Sequence, residues 1–153
     1  MSTNETNNAT DDRAVSPGDA ERYRAFIENS TEGIWRFEAE PPIPIHLSEE
    51  EQIDAFYSRG YLAEANNAFA RMYGFTRGEE LVGTRLGDFL VRDDPKNIAY
   101  LRAFIGSNYR LEGAESVETD SAGNTKDFIN TLTGIVTDGN LVRAWGSATS
   151  RIV

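Results

Sequence analysis

The side chains best suited to catalysis or metal binding are few in this sequence, and their spacing does not indicate an active centre. The chain has no cysteine and one histidine, His46, so disulfides and thiolate metal sites have no residues to form them. The acidic run at residues 49–51 with Asp54 predicts a solvated helix face, because adjacent carboxylates on one helix point in different directions. No glycine-rich stretch precedes Lys-Ser or Lys-Thr as a phosphate loop would. We therefore predict no catalytic residues, no metal and no enzymatic activity.

The composition argues against some classes of binding partner. The 153 residues carry a net charge of −10, which repels nucleic acid and anionic membranes. Only Lys96 and Lys126 are lysines, and such an acidic, lysine-poor surface resembles proteins of salt-loving organisms, although an ordinary acidic domain is the alternative. The hydrophobic content of 39% favours a globular fold, and no basic, apolar leader is evident at the N-terminus. These features predict a cytoplasmic protein without nucleic-acid or membrane partners.

The N-terminal region divides into a tail and a helix. Residues 1–15 are polar and without periodicity, which predicts a disordered tail, and residues 16–153 are expected to form a single domain. Ser16 followed by Pro17 is typical of a helix start, and this helix should run to about Asn29. Its apolar stripe contains Tyr23, Phe26 and Ile27. Such a stripe can pair with a second subunit or pack on the domain's own sheet.

A strand at residues 32–38 is followed by a segment that we interpret as an insertion. Residues 39–60 contain Pro41, Pro42 and Pro44, which favour an extended chain, and then Ser48 with Glu51, which predicts a capping box on a short helix. This insertion could cover a pocket, contact a partner or shield an edge strand.

The remaining elements centre on a second strand at residues 61–65. Asn66 has the side chain of a helix N-cap, and Gly74 is suited to ending that helix. Asp94 with Pro95 starts a longer helix that should reach about residue 107. Three strands joined by glycine-containing turns follow, at residues 110–119, 126–137 and 141–152.

The segment around Asn66 carries a recognisable motif, Asn-x-Ala-(x)5-Gly-Phe-Thr-(x)3-Glu-Leu-Val-Gly. Its residues are Asn66, Ala68, Gly74, Phe75, Thr76, Glu80, Leu81, Val82 and Gly83. The motif and the order of elements resemble PAS sensor domains, over about residues 20–153. The resemblance implies an α+β fold with a five-stranded antiparallel sheet of order 2-1-5-4-3, helices over one face and a leading N-terminal helix. The last strand ends Thr149-Ser150-Arg151 instead of the Asp-Ile-Thr common before a downstream helix, so coupling to a following effector has less support.

The resemblance also implies a cavity between the sheet and its helices. Strand alternation places Trp35 and Phe37 on one face, and Trp145 and Ser147 together with Leu141 on one face of the last strand. Apolar side chains with a few polar groups are typical of small-molecule pockets, although they are also typical of a solid core. The predicted ligand-binding residues are Trp35, Phe37, Phe69, Met72, Phe104, Phe128, Asn130, Leu132, Trp145 and Ser147. Asn130 is the most informative, since a buried amide must bond a ligand, a water or a protein group.

The cofactors known in PAS domains can be screened by residue. Haem in this family commonly binds a histidine of the long helix, and residues 94–107 contain none, which argues against haem. Flavin photochemistry and coumaric acid each require a cysteine, so both covalent chromophores are excluded. A non-covalent flavin stays open, and a planar aromatic ligand with one hydrogen-bonding group would suit the predicted lining.

We therefore expect a sensory module in two-component-like signal transduction that binds a small, mostly apolar or aromatic ligand. It would form a homodimer through the N-terminal helix, and it could act on a downstream signalling domain or protein. A ligand-free dimerisation scaffold is the first alternative. A cone-shaped α+β isomerase or hydrolase is the second, and it would need an Asp–His or Tyr–Asp pair in its cavity.

Overall fold

The computed structural model describes residues 16–150, which form an antiparallel sheet with helices on both of its faces. The sheet order is β2-β1-β5-β4-β3, so the predicted α+β fold and strand order are confirmed. The helices are α1 (Pro17–Asn29), α2 (Glu49–Arg59), α3 (Asn67–Met72), α4 (Leu86–Phe89) and α5 (Pro95–Gly106), with a 3₁₀ turn at Gly78–Leu81. The strands are β1 (Gly33–Pro44), β2 (Gly60–Ala65), β3 (Arg110–Thr119), β4 (Thr125–Thr137) and β5 (Asn140–Ser150). The tail predicted at residues 1–15 lies outside the described residues.

Local hydrogen bonds explain where the three longer helices begin. Ser16 Oγ accepts from the Asp19 amide at 3.0 Å, and the Asp94 carboxylate accepts from the Lys96 amide at 2.9 Å. At α2, Ser48 Oγ accepts from the Glu51 amide, and the Glu51 carboxylate accepts from the Ser48 amide. Both distances are 3.1 Å, and the two bonds form a capping box. These caps satisfy N–H groups that have no partner within the helix, and they confirm the predicted starts.

Asn66 joins three elements through its side-chain amide. Its Oδ1 accepts from the Phe69 amide, which caps α3, and from the Ile34 amide of β1, both at 2.9 Å. Its Nδ2 donates to the carbonyls of Ile27 at the end of α1 and of Glu32 before β1, at 2.8 and 3.0 Å. The predicted N-cap is confirmed, and the side chain also holds α1 against the sheet.

The first strand is longer than its sequence pattern predicted. β1 continues to Pro44, and its pairing with β5 is interrupted between Glu38 and Ile43. That gap contains Pro41 and Pro42, which cannot donate a backbone hydrogen bond. The chain therefore stays extended through the prolines without a continuous ladder.

The helix predicted in the insertion is present as α2 and is anchored by Gln52. Gln52 Nε2 donates to the carbonyls of Ile45 and Leu47 at 3.1 and 2.9 Å, and its Oε1 accepts from Tyr109 Oη at 2.7 Å. Phe56 of the same helix is buried in the core. The insertion is thus packed into the fold on the face of the sheet that also carries α3, α4 and α5.

A bulge in β5 changes which side chains share a face. Ile135 pairs with Arg143 and Val136 pairs with Leu141, so Val142 has no partner of its own in β4. An extra residue in one strand shifts the alternation of every side chain beyond it. Leu141 faces the core, whereas Trp145 lies on the opposite face beside α1.

Candidate functional site

A cavity of about 100 Å³ lies between the sheet and helices α2, α4 and α5. One water molecule needs roughly 10–15 Å³, so the space exceeds what a single buried water requires. Its walls are mostly aromatic and aliphatic, and Asn130 and Glu118 are the buried polar residues among them. The lining includes Trp35, Phe37, Phe56, Phe89, Tyr100, Leu101, Phe104, Leu132 and Ala144.

Half of the predicted ligand-binding residues line this cavity. They are Trp35, Phe37, Phe104, Asn130 and Leu132. Trp35 can lie flat over β5 because Gly146 has no side chain, and a Cβ at that position would be 2.2 Å from Trp35 Cζ2. The edge-to-face contact of Trp35 with Phe37, at a centroid distance of 5.6 Å, then forms one wall.

Three predicted residues lie in the solid core beside the cavity. Phe69 and Phe128 are buried around the ring of Tyr73, with centroid distances of 4.9 and 5.2 Å. Met72 is half-buried and packs against the same cluster. These side chains fill space, and they are not among the residues that line the cavity.

The predicted position of Trp145 and Ser147 was wrong. Both line a shallow groove on the opposite face of the sheet, beneath α1. The Trp145 ring contacts the Tyr23 ring edge-to-face at 5.8 Å, and the Arg36 guanidinium lies 5.4 Å from its centroid. The error came from assuming strict alternation along β5, which the bulge at Val142 interrupts.

The sequence interpretation missed a buried polar cluster on β3. Ser116 and Glu118 point to the inner face, where Ser116 Oγ donates to Glu118 Oε2 at 2.6 Å and Tyr73 Oη donates to Glu118 Oε1. Asn130 Nδ2 donates to Ser116 Oγ at 2.8 Å, so the partner of this buried amide is a protein group. The period of two along residues 116–118 was the available signal, since it places Ser116 and Glu118 on one face of the strand.

Burial perturbs the titration of this cluster. Burial raises the pKa of the Glu118 carboxyl, and hydrogen bonds from Ser116, Tyr73 and Asn130 oppose that increase. Burial and the neighbouring Glu118 raise the pKa of Tyr73 and of Tyr100 well above the ordinary range. The two tyrosines are therefore neutral hydroxyl groups at physiological pH.

Tyr57 of α2 has a different environment. Burial raises the pKa of Tyr57 to about 12, although the Arg92 guanidinium 4.8 Å from its ring centroid acts in the opposite direction. Its hydroxyl oxygen is buried and has no hydrogen-bond partner among residues 16–150.

Neither a metal-ion site nor a membrane-spanning helix is found among residues 16–150. His46 is exposed in the turn between β1 and α2. Within residues 16–150, no cluster of His, Asp or Glu side chains is arranged to hold a metal ion. None of the described helices is long and apolar enough to cross a membrane.

Comparison with known proteins identifies a family model and several solved structures that are similar to this chain. The PAS domain family model matches residues 21–105, which is more than half of the chain. The PAS domain of a protein from Colwellia psychrerythraea has a TM-score of 0.61 and 13% identity, over 86% of this chain and 96% of that one. A light-oxygen-voltage domain studied with a flavin analogue has a TM-score of 0.58 and 12% identity, over 90% of this chain and 89% of that one.

A domain of the sensory box sensor histidine kinase/response regulator from Geobacter sulfurreducens has a TM-score of 0.54 and 21% identity, over 84% of this chain and 91% of that one. No curated protein matches the sequence. At these identities the solved structures establish the fold alone, and the family model covers the segment that contains the Asn66–Gly83 motif. Together with the 2-1-5-4-3 sheet, that match shows that the chain belongs to the PAS domain family.

Proposed function

We propose that this domain is a cytoplasmic signal-transduction sensor that binds a small, mostly apolar ligand between its sheet and helices. The observation that carries the proposal is the cavity itself, because close-packed interiors rarely keep a space of this size. Membership of the PAS family supports a sensory role. The similar Geobacter sulfurreducens domain comes from a sensor histidine kinase/response regulator, which supports a downstream signalling partner.

The size of the cavity favours a ligand built on one aromatic ring. An apolar cavity of about 150 Å³ is known to bind benzene, and the space here is about 100 Å³. The three fused rings of a flavin would require the walls to move apart. The aromatic and aliphatic lining suits a single ring, with contacts from Trp35, Phe37 and Phe104.

The signalling mechanism we propose is a population shift in α5. Tyr100, Leu101 and Phe104 of this helix form part of the cavity wall, and β3 follows α5 in the chain. A ligand that contacts this wall in one arrangement and not in another would favour the first arrangement. The change would reach partners through the sheet.

We further propose that residues 16–153 act as one domain in which the insertion at residues 39–60 closes one side of the cavity. Phe56 of α2 lines the cavity, and its ring lies 6.1 Å from that of Phe104. Gln52 anchors the same helix through the bonds to Ile45, Leu47 and Tyr109. These contacts favour the pocket-covering role over simple shielding of an edge strand.

A matched pair of variants on β5 tests ligand binding. Ala144 lines the cavity and Ser147 lines the outer groove, and both are half-buried. In titrations followed by amide NMR shifts, Ala144→Leu should weaken the binding of toluene, benzyl alcohol or benzylamine by at least about tenfold. Ser147→Leu should leave that affinity unchanged. If no member of the panel binds the wild-type protein in the cavity, the sensing proposal is wrong.

We also propose that α1 contacts a second copy of the chain. Ile27 is buried, whereas Phe26 is 71% exposed and Tyr23 is 49% exposed on the same helix. Large apolar side chains exposed together on one helix are typical of an interaction surface. The ligand-free dimerisation scaffold rests on this surface alone, and it would require that no ligand enters the cavity.

A further inference from the structure

The Glu118 carboxylate at the edge of the cavity is held as a hydrogen-bond acceptor. Tyr73 Oη donates to its Oε1, and Ser116 Oγ donates to its Oε2. Ser116 Oγ already accepts from Asn130 Nδ2, so its hydrogen is free to point at Glu118. Tyr73 is the residue that follows α3, and Ser116 lies on β3 itself. Asn130 of β4 acts on Glu118 through Ser116.

These bonds do not exhaust the acceptor capacity of Glu118. An ionised carboxylate offers about four lone-pair sites. The hydroxyl groups of Tyr73 and Ser116 use two of them, and the nearby amide of Asn130 uses at most a third. Glu118 is also among the residues that line the cavity. A guest with a hydrogen-bond donor can therefore be bonded without displacing Tyr73 or Ser116.

The charge of Glu118 has no counterpart within the described residues. No Lys, Arg or His of residues 16–150 forms an ion pair with it, and no cation contributes to its perturbed titration. Lys126 pairs with Glu118 in the sheet register, but its Nζ lies 3.6 Å from Asp120 and donates to the Met72 carbonyl at 3.3 Å. A buried carboxylate without a cation is unfavourable unless another group supplies the charge.

The other titratable groups near Glu118 are tyrosines. Tyr73 at the end of α3, Tyr100 of α5 and Tyr57 of α2 all interact electrostatically with it, and the pKa of each is raised. They are uncharged at neutral pH and neither neutralise the carboxylate nor add a second negative charge. The other charged residues of the cavity lining, Glu38 and Arg143, pair with each other at 2.8 Å. Glu118 is therefore the one acid of the lining that has no cationic partner among the described residues.

We propose that the cavity selects a small aromatic amine, whose protonated amino group pairs with the Glu118 carboxylate while its ring contacts the Trp35 and Phe37 wall. This inference rests on the proposed function, since it assumes that the cavity takes a ligand. It adds the chemical class of that ligand. A neutral Glu118 that donates to a carbonyl or hydroxyl guest is the competing arrangement, and the experiment distinguishes the two.

Three probes of similar shape test the proposal on the full chain: benzylamine, benzyl alcohol and toluene. By calorimetry or NMR titration near neutral pH, wild-type protein should bind benzylamine at least about tenfold more tightly than either neutral compound. Glu118→Gln keeps the shape and removes the charge, so it should weaken benzylamine binding by at least about tenfold. Its affinity for toluene should change by less than about twofold.

Glu112→Gln is the matched control. Glu112 lies on the same strand but is exposed, so the same change of charge there should leave all three affinities unaltered. A second measurement needs no variant. Because burial raises the pKa of Glu118, the carboxyl takes up its proton at a higher pH than a free glutamate does, and the affinity of the wild-type protein for benzylamine should fall as the solution is acidified from neutral pH toward 4.5. Its affinity for toluene should not change.

The outcomes separate this inference from the proposed function. The amine preference is wrong if toluene or benzyl alcohol binds as tightly as benzylamine, or if Glu118→Gln leaves benzylamine binding unchanged. Either result would still be consistent with the proposed sensing function. If none of the three compounds binds in the cavity, both proposals fail. Preferential benzylamine binding that depends on Glu118 and is blocked by Ala144→Leu supports both.

Discussion

The two faces of the sheet differ in how they stabilise a carboxylate that is at least half-buried. On the outer face, the Glu38 carboxylate accepts from Arg143 Nε at 2.8 Å and from Arg36 Nη1, so the protein supplies its own counter-charge. On the inner face, Glu118 accepts from the hydroxyl groups of Tyr73 and Ser116 and has no cationic partner within residues 16–150. Glu38 is thus balanced by two arginines of the protein, whereas Glu118 is an acid whose charge no described cation balances.

The two tryptophans show the same division. Trp35 is 6% exposed and lines the cavity, while Trp145 is half-buried between Tyr23 of α1 and Arg36. The inner residue is enclosed by several elements, and the outer one lies in a shallow groove under a single helix. Because more apolar surface is removed from water around Trp35 than around Trp145, we expect the inner residue to contribute more to stability.

The largest expected effect separates these two tryptophans. Trp35→Ala should lower the free energy of unfolding by about 3–5 kcal/mol, because it removes a fully buried ring from an already cavity-containing core. Trp145→Ala should lower it by about 1–2 kcal/mol, through loss of one edge-to-face contact and one cation–π contact. Urea unfolding of both variants measures the difference. Equal losses would contradict the distinction between the two faces.

Asn66 joins the two faces, so its removal should weaken both. Asn66→Ala should lower the free energy of unfolding by about 2–4 kcal/mol, because α3 loses its cap and the carbonyls of Ile27 and Glu32 lose a donor. The neighbouring Asn67 is exposed and accepts one bond from the Gly78 amide, so Asn67→Ala is the control. That control should lose no more than about 1.5 kcal/mol.

Hydrogen exchange would sharpen the Asn66 result. Loss of protection in both α1 and α3 of Asn66→Ala is expected, since the amide bonds the end of one helix and the start of the other. Loss confined to α3 would mean that α1 is held on the sheet by other contacts.

The isolated charge of Glu118 should be visible in the pH dependence of stability. Burial raises the pKa of Glu118 in the folded protein above its ordinary value of 4.5, so the folded state binds more protons than the unfolded state between these two pKa values. The stability from the protonated form is fully present below pH 4.5 and is lost as the pH rises through the folded-state pKa. The decline cannot exceed about 1.4 kcal/mol per pH unit for one group.

Glu118→Gln provides the reference for that measurement. The difference in unfolding free energy between wild type and Glu118→Gln, followed by urea unfolding across the acidic range, should shift in favour of the variant as the pH rises. A difference that is flat across this range would mean that Glu118 titrates alike in the folded and unfolded chains.

The smallest effect on stability is expected on α1. Phe26 is 71% exposed, so Phe26→Ser should change the free energy of unfolding by less than about 0.5 kcal/mol. If α1 contacts a second copy, the same variant should shift the protein toward the monomer in sedimentation or sizing experiments. A wild-type protein that is monomeric at high concentration would exclude this surface as a dimer contact.

Short-range chemistry made much of the fold predictable. The caps at Ser16, Ser48, Asn66 and Asp94 depend on residues within three positions of each other, so they can be identified without knowing the tertiary structure. The motif that ends at Gly83 then identified the family, and with it the strand order. The same reasoning placed Trp35 and Phe37 correctly, because the part of β1 that contains them keeps its alternation against β5.

The candidate site was predictable only in part, because its details depend on contacts between distant segments. The bulge at Val142 follows from how β5 pairs with β4, and it moved Trp145 and Ser147 to the outer face. Glu118 gained its buried partners only when Tyr73, 45 positions away, reached it from the end of α3, and when Asn130 of β4 bonded Ser116 across the sheet. The amino-acid sequence by itself thus determined the elements and their order, since these rest on local backbone preferences and periodicity. Which side chains meet in the cavity was decided by strand register and helix packing, which only the assembled tertiary structure specifies.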